Sequence, residues 1–279
     1  MIHPSIIHTV HLFPRLDKEL ISLLKSLSPG DWELQTLAPK WKVKDVAAHL
    51  LDGNIRAISN LRDQYYGEKA VGISSYRDLV SFLDDLNADW VKAMRRMSPE
   101  LIISFLELTG STYCEVIKNL EPEDQAIFSV AWAGEDHSKN WFHIAREYTE
   151  KWHHQQQIRF AVGQTAVLFQ RDLHFPFLDT TMRALPHHYR TVPAAEFTCI
   201  EFSVSGEGGG KWYLIRKGEA WELSNSSNSD PSCSIEIEED KAWRIFTKGI
   251  SRAEAEITTK IKGVKELGTP IFNMLAVMA

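Results

Sequence analysis

The most informative segment of the chain reads Trp141-Phe-His-Ile-Ala-Arg-Glu-Tyr-Thr-Glu-Lys-Trp-His-His-Gln-Gln-Gln-Ile-Arg-Phe-Ala-Val162, and Gly163 follows it. An α-helix advances about 100° per residue, so Tyr148 and Trp152 lie within roughly 60° of Trp141. The pattern predicts a helix over 141–162 whose Trp-rich face packs in the protein core.

The opposite side of this helix is polar. His143, Glu147, Glu150 and His154 fall between about 180° and 240° on the same count. Glu150 and His154 are i, i+4 neighbours, which lets both side chains reach one ion. A solvated polar face explains this spacing equally well. However, the stripe holds no Lys or Arg, which usually accompany exposed acids on a helix. It is therefore either plain surface or part of a metal site.

A third ligand must come from another helix, and His49 is the candidate. It lies roughly 60° from Val46 on the apolar stripe of a helix predicted to start after Trp41 and to run toward Tyr66. A lone histidine at such a boundary is more often a satisfied structural residue than a ligand. Two neutral imidazoles and a carboxylate on facing helices would suit Zn²⁺, with Ni²⁺ or Fe²⁺ as alternatives.

Hydrophobic periodicity divides the chain into a helical part and a mixed part. Helical spacing over roughly the first 165 residues predicts an up-and-down bundle with helices over 10–27, 42–66, 76–98, 99–120 with a break near Gly110, and 141–162. One more helix is predicted over 172–185. Beyond residue 196 we predict an α+β domain with strands over 197–204, 212–216, 220–223, 234–238 and 255–263, a helix from Asp240 as N-cap, and a helix over 269–278.

Composition and charge exclude several classes of protein. The 279 residues carry a formal net charge of −6 without a basic block, which argues against nucleic acid as a partner. Three cysteines, Cys114, Cys199 and Cys233, are far apart and predict no disulfide framework. Because the chain shows neither a spanning apolar stretch nor a signal peptide, we expect a cytoplasmic protein that does not bind membranes.

Two motifs resemble family signatures. They are Trp41-Lys-Val-Lys-Asp-Val-Ala-Ala-His49-Leu, and Arg146 to Gly163 with its Glu-x-x-x-His spacing. Both resemble signatures of the mycothiol-dependent maleylpyruvate isomerase family, in the DinB-like superfamily. Ala242-Trp-Arg-Ile-Phe-Thr-Lys-Gly249, with the strand predicted after it, resembles the sterol-carrier-protein-like C-terminal domain of that family. Lys42 stands where the family usually has Ser or Thr, and Gln157 where many members have Asp.

The resemblance implies a DinB-like four-helix bundle over 1–168, a connecting helix and linker over 169–190, and a small sterol-carrier-protein-like α+β domain over 191–279. It maps the metal triad of the family onto His49, Glu150 and His154. It also implies a small thiol as co-substrate. In the reaction that gives the family its name, the thiolate adds to the double bond of a cis-enedioate, the adduct rotates, and the thiol leaves.

Further side chains are predicted to act beside the metal triad. We predict that His143 and Glu147 support the ligands or act as a general base, and Arg146 and Arg77 are candidates for binding a substrate carboxylate. Cys114 is interpreted as a buried helix cysteine. His153 competes with His154 as a ligand, but it lies about 100° away from it on the helix.

Other functions fit the same residues. A non-catalytic protein that binds a metal or a small ligand would be favoured by a closed four-ligand site, completed by His143 or His153. A DinB-like metal-dependent hydrolase would use the same ligands to activate water. The protein is predicted to act on a small molecule as a monomer or homodimer.

Overall fold

A computed structural model describes residues 6–68 and 70–277. These residues form two compact units. The helical unit comprises Thr9–Asp124 and Glu150–Thr165. The sheet unit comprises Gln125–Thr149 and 166–277, together with 6–8.

The helical unit is built from long amphipathic helices. Helix α2 packs against α3 and α4, and α1 packs against α4. Their apolar faces share one core, in which Leu24, Val46, Leu51, Ile102 and Ile158 are buried. The helices are α1 (Phe13–Ser26), α2 (Val43–Ala57), α3 (Tyr76–Met94), α4 (Pro99–Lys118) and the part of α5 (Asn140–Ala161) that starts at Glu150.

The predicted helices of this unit are confirmed, with two differences. Helix α2 ends at Ala57, and the chain continues as a π-helical turn over Ile58–Arg62. Helix α4 runs unbroken through Gly110, so the predicted break there is wrong. A Cβ at residue 110 would lie 2.9 Å from Asp17 Oδ2. The glycine therefore permits a close approach of another helix and does not interrupt its own.

The sheet unit contains a mixed five-stranded sheet in the order β3-β2-β1-β4-β5. Strands β1 and β4 are parallel, and the other neighbouring pairs are antiparallel. This confirms the expectation of a helical N-terminal part followed by a part with a sheet. The strands are β1 (Cys199–Val204), β2 (Gly210–Lys217), β3 (Ala220–Ser224), β4 (Cys233–Ile237) and β5 (Lys260–Gly263).

The helices around the sheet differ from expectation in several places. The remaining helices are α6 (Arg171–Met182), α7 (Leu185–His188), α8 (Glu239–Phe246), α9 (Arg252–Thr258) and α10 (Lys265–Gly268). The strand predicted over 255–263 is wrong in its first half, because the Ser251 hydroxyl accepts a hydrogen bond from Glu254 N and starts α9. Glu238, not Asp240, is the N-cap of α8.

Two ends of helices also differ from the prediction. The helix predicted over 172–185 ends at Met182, and Pro186 lies in the first turn of α7, where a proline needs no N–H partner. The predicted helix over 269–278 is a 3-10 turn at Thr269–Asn273, and Met278 lies outside the described residues. Within residues 6–68 and 70–277, no helix is both long and apolar enough to cross a membrane.

Candidate metal centre

Helix α2 presents His49 beside its buried face. The Asp45 carboxylate accepts a hydrogen bond from Lys42 N, 3.0 Å away, and so caps the start of the helix. Val46 and Leu50 anchor the flanking turns in the core. The Trp41 ring covers the imidazole of His49, with ring centroids 4.8 Å apart. The motif therefore holds His49 in place from both the helix and the segment before it.

Helix α5 contributes a carboxylate and two imidazoles. Each of Glu150, His153 and His154 has one potential ligand atom, and these three atoms lie within 4.8 Å of one another. His154 Nε2 is 3.7 Å from Glu150 Oε2, and His153 Nδ1 is 3.9 Å from the same oxygen. Two ligand atoms on one tetrahedral zinc are about 3.3–3.5 Å apart. The two distances to Glu150 Oε2 exceed this spacing by a few tenths of an ångström, and no pair in the set is more than 4.8 Å apart.

The three residues predicted as ligands lie close together. The rings of His49 and His154 meet edge to face, with centroids 4.5 Å apart, and Glu150 is next to His154. The Nδ1 of His49 is closed off from solvent and has no hydrogen-bond partner among the described residues. A buried nitrogen without a partner is costly, and a bound cation would satisfy it. Their role as ligands stays a prediction.

Burial keeps these imidazoles uncharged. The pKa of His154 is lowered to about 3, chiefly by burial and next by the charge of His153. Burial, and then the charge of His154, lowers the pKa of His49 well below its usual value. Neutral imidazole is the form that binds a metal ion, so His49 and His154 are in the correct protonation state at pH 7.

Gln157 orients His154. His154 Nδ1 and Gln157 Oε1 are 2.9 Å apart. Because the amide oxygen only accepts, Nδ1 carries the proton and Nε2, which faces Glu150, is free to be a ligand. Gln157, which stands where many family members have Asp, therefore still provides an acceptor for the Nδ1–H group of His154.

Two further side chains belong to this cluster. The angular count disfavours His153, yet its Nδ1 is 3.9 Å from Glu150 Oε2, nearly as close as His154 Nε2 at 3.7 Å. Tyr76, at the start of α3, has its pKa raised by burial and then by the charge of Glu150. Nothing in the spacing of the sequence points to Tyr76, because it is distant from Glu150 along the chain.

The residues predicted as catalytic form a cluster of their own in the sheet unit. Arg146 Nη2 is 2.9 Å from His143 Nδ1 and 2.6 Å from Glu147 Oε1. The pKa of His143 is lowered to about 4, first by burial and then by the charge of Arg146. His143 is therefore an uncharged base beside a guanidinium group. The catalytic role of these three residues stays a prediction.

Arg77 and Cys114 are placed less favourably for catalysis. Arg77 is exposed near the start of α3. Cys114 is half-buried, and burial followed by the charge of Asp17 raises the pKa of its thiol to about 11. A thiol with this pKa stays protonated at pH 7 and is a poor nucleophile.

Comparison with known proteins points to one family. Residues 13–159 match the model of the mycothiol maleylpyruvate isomerase N-terminal domain. Among curated protein sequences, none is significantly similar to the chain.

Solved structures agree in fold. The chain resembles the crystal structure of the mycothiol-dependent maleylpyruvate isomerase, with 10% identity and a TM-score of 0.53, over 88% of this chain and 91% of that chain. It resembles a histidine-to-alanine mutant of the same enzyme with 9% identity, the same TM-score of 0.53 and the same coverage. At this identity the likeness shows a shared fold. Because the domain model matches more than half of the residues, the chain belongs to the family of the mycothiol maleylpyruvate isomerase N-terminal domain.

Proposed function

We propose that this protein is a metal-dependent enzyme that uses a low-molecular-weight thiol to isomerise a small electrophile or to transfer the thiol to it. The observation that carries the proposal is the contact of the His49 ring with the His154 ring, beside which Glu150 lies. Family membership supports a thiol as the co-substrate, since the matching domain is named for mycothiol.

The donor set fits a divalent ion. His49, Glu150 and His154 supply two neutral nitrogens and one carboxylate oxygen, a combination that suits zinc and also fits nickel or iron. The buried Nδ1 of His49 without a hydrogen-bond partner supports the same assignment. When bound here, such an ion would favour the thiolate form of a coordinated thiol at neutral pH.

Residues earlier on α5 would bind the substrate and exchange protons with it. Arg146 carries a fixed positive charge suited to a carboxylate of the electrophile. His143, with a pKa near 4, is uncharged at neutral pH and can accept a proton. Glu147 pairs with Arg146 and holds its guanidinium group in place. In an isomerisation, the thiol adds across the double bond, the adduct rotates about the resulting single bond, and the same thiol leaves, so the reaction has no net redox change.

The proposal extends to the domains and the surroundings of the protein. It includes a DinB-like four-helix bundle over 1–168, a connecting segment over 169–190, and a sterol-carrier-protein-like domain over 191–279. The helix packing and the five-stranded sheet support this division at a coarse level. We further propose a cytoplasmic monomer or homodimer that acts on a small molecule and binds neither membranes nor nucleic acid.

A thiol-dependent isomerase assay tests the function. The purified protein, loaded with zinc, is incubated with maleylpyruvate and with either mycothiol or glutathione, and isomerisation is followed by absorbance. We expect activity that requires the thiol and is lost in His49→Ala. His11→Ala, which removes an exposed histidine of the helical unit, serves as the matched control and should stay active. Turnover in His49→Ala equal to that of the control would refute the catalytic assignment.

A non-catalytic metal-binding protein is the second candidate, because His153 lies beside Glu150. Four protein ligands would close the coordination shell, as in structural zinc sites, and leave no position for a thiol. His153→Ala separates the two candidates. An open catalytic site keeps its metal and its activity in this variant, whereas a closed structural site loses the metal.

A further inference from the structure

A buried ammonium group lies next to the candidate metal centre. Lys151 follows Glu150 on α5, and only 7% of its surface is exposed. Its Nζ is 2.6 Å from Asn54 Oδ1 on α2 and 2.9 Å from Asp17 Oδ1 on α1. It also lies over the Tyr113 ring of α4, 4.3 Å from the ring centroid. One charge thus contacts three other helices of the helical unit.

The partners of this ammonium group are themselves held in place. The Asn54 amide donates to Thr109 Oγ1 at 3.0 Å. The Cys114 thiol donates to the second oxygen of Asp17 at 3.8 Å. Gly110 leaves room for that carboxylate, since a Cβ there would meet it at 2.9 Å. Because a buried charge without partners is very costly, α5 cannot slide along α2 even by one residue, about 1.5 Å, without losing these contacts.

The same two helices carry the predicted ligands. On α2, His49 precedes Asn54 by five residues, and on α5, His154 follows Lys151 by three. The ring contact of His49 with His154 and the hydrogen bond of Lys151 with Asn54 are therefore two contacts across one helix pair. A shift that breaks the second contact displaces the first.

We infer that Lys151 is a positioning residue, whose hydrogen bond to Asn54 and ion pair with Asp17 set the register of α5 against α2 and so hold His154 against His49. The consequence for metal binding rests on the proposed function, whereas the register itself does not. A buried ion pair is weak evidence for stability, because apolar residues of similar size often replace one without loss. Its best-attested use is to specify one register, which is the role assigned here.

The test uses the full chain with Lys151→Met combined with Asp17→Asn, so that no uncompensated charge remains. The matched control is Lys25→Met with Glu107→Gln, which removes an exposed ion pair of 2.6 Å between α1 and α4. Histidine-labelled samples are examined by NMR for the cross-relaxation peak between the rings of His49 and His154. Zinc affinity is then measured by competition with a chelator, under conditions where circular dichroism shows every variant to be folded.

We expect the wild type and the control to show the inter-ring peak and to bind zinc equally well. The Lys151→Met, Asp17→Asn variant should lose the peak and bind zinc about 10–100-fold more weakly. An unchanged peak in this folded variant would overturn the positioning role. If the wild type shows the peak but binds no zinc, the proposed function fails while the register remains. Should the double variant not fold, Asn54→Ala, which removes the acceptor of Lys151 on α2 together with the donor to Thr109 Oγ1, must give the same loss of the peak or the inference is wrong.

Discussion

In the strands of the sheet unit, charged side chains pair with one another at the surface, whereas in the helical unit several are buried and bound to specific partners. On β1 and β4, Phe202 and Ile235 point into the core, while Glu201 and Glu236 turn outward to lysines on the neighbouring strands. On α5, by contrast, every residue from Lys151 to Arg159 is buried, polar ones included. In the helical unit, polar side chains are therefore buried at a cost in free energy, and this burial occurs where the candidate ligands lie.

The contrast distinguishes the side chains that stabilise the fold from those that are candidates for a function. Alternating strands bury apolar side chains and leave charges in water, which accounts for a stable sheet without a specific site. Imidazoles with lowered pKa values, such as those of the half-buried His49 and the buried His154, do not improve a core and require another explanation. Perturbed titratable groups that cluster in this way often mark functional sites.

The largest effect on stability is expected from the apolar side of α5. Trp152 is fully buried, so Trp152→Ala should lower the free energy of unfolding by about 3–5 kcal/mol. Phe160→Ala on the same helix removes a side chain of a residue that is 40% exposed, and it should cost much less. Urea denaturation of both variants measures the difference. Equal losses would mean that burial does not determine what these two side chains contribute to stability.

The next largest effect concerns metal affinity. Glu150→Gln keeps the shape of the side chain but removes the charge, and we expect zinc to bind about 100-fold more weakly, or nearly 3 kcal/mol. Glu147→Gln is the matched control, since its carboxylate pairs with Arg146, and its affinity should change only a few-fold. Titration calorimetry distinguishes the two variants. The ligand assignment is wrong if Glu147→Gln has the larger effect.

Acid should destabilise the protein through its buried histidines. The pKa of His143 is about 4 in the folded chain, below its usual value near 6.5, so the unfolded chain takes up the proton first. The stability contributed by the neutral form is present above pH 6.5 and is lost as the pH falls toward 4. At pH 5 the loss is about 2 kcal/mol. Denaturation at several pH values should show a flatter profile for His143→Gln, and an unchanged profile would contradict the burial of this histidine.

The smallest effect is expected on the surface of the sheet. Lys260 Nζ and Glu236 Oε1 are 2.8 Å apart, but both side chains are exposed and screened by solvent. Lys260→Ala should leave the midpoint of thermal unfolding unchanged within the error of the measurement. A clear drop would show that the sheet, like the helical unit, depends on individual ion pairs.

The sequence predicts the fold well where the hydrophobic period is long. The helical segments around Leu24, Val46 and Ile102, and the strands before Ile237, appear with the predicted type. Short elements are harder to predict from the sequence. Residues 252–258 alternate like a strand, but the Ser251 cap and helix-forming residues start a helix there. The sequence suggests that Gly110 breaks its helix, because it does not show that Asp17, which is distant along the chain, packs against this glycine.

The site was predictable in part. Motif and spacing select His49, Glu150 and His154. The structure shows the first and last of them in ring contact and Glu150 beside His154, while their role as ligands stays a prediction. His153 was set aside because the angular count assumes one polar face, whereas the second half of α5 is buried on all sides. The contacts of Lys151 with Asp17 and Asn54 depend on tertiary packing, which no local pattern encodes.

The central claim is that His49, Glu150 and His154 together hold one divalent cation. The most direct measurement is the metal content of the purified protein by elemental analysis, with zinc offered during expression, for the wild type, His49→Ala and the exposed control His11→Ala. We predict close to one metal ion per chain in the wild type and the control, and a nearly complete loss in His49→Ala with the fold retained. A full complement of metal in His49→Ala, or none in the wild type, would contradict the account.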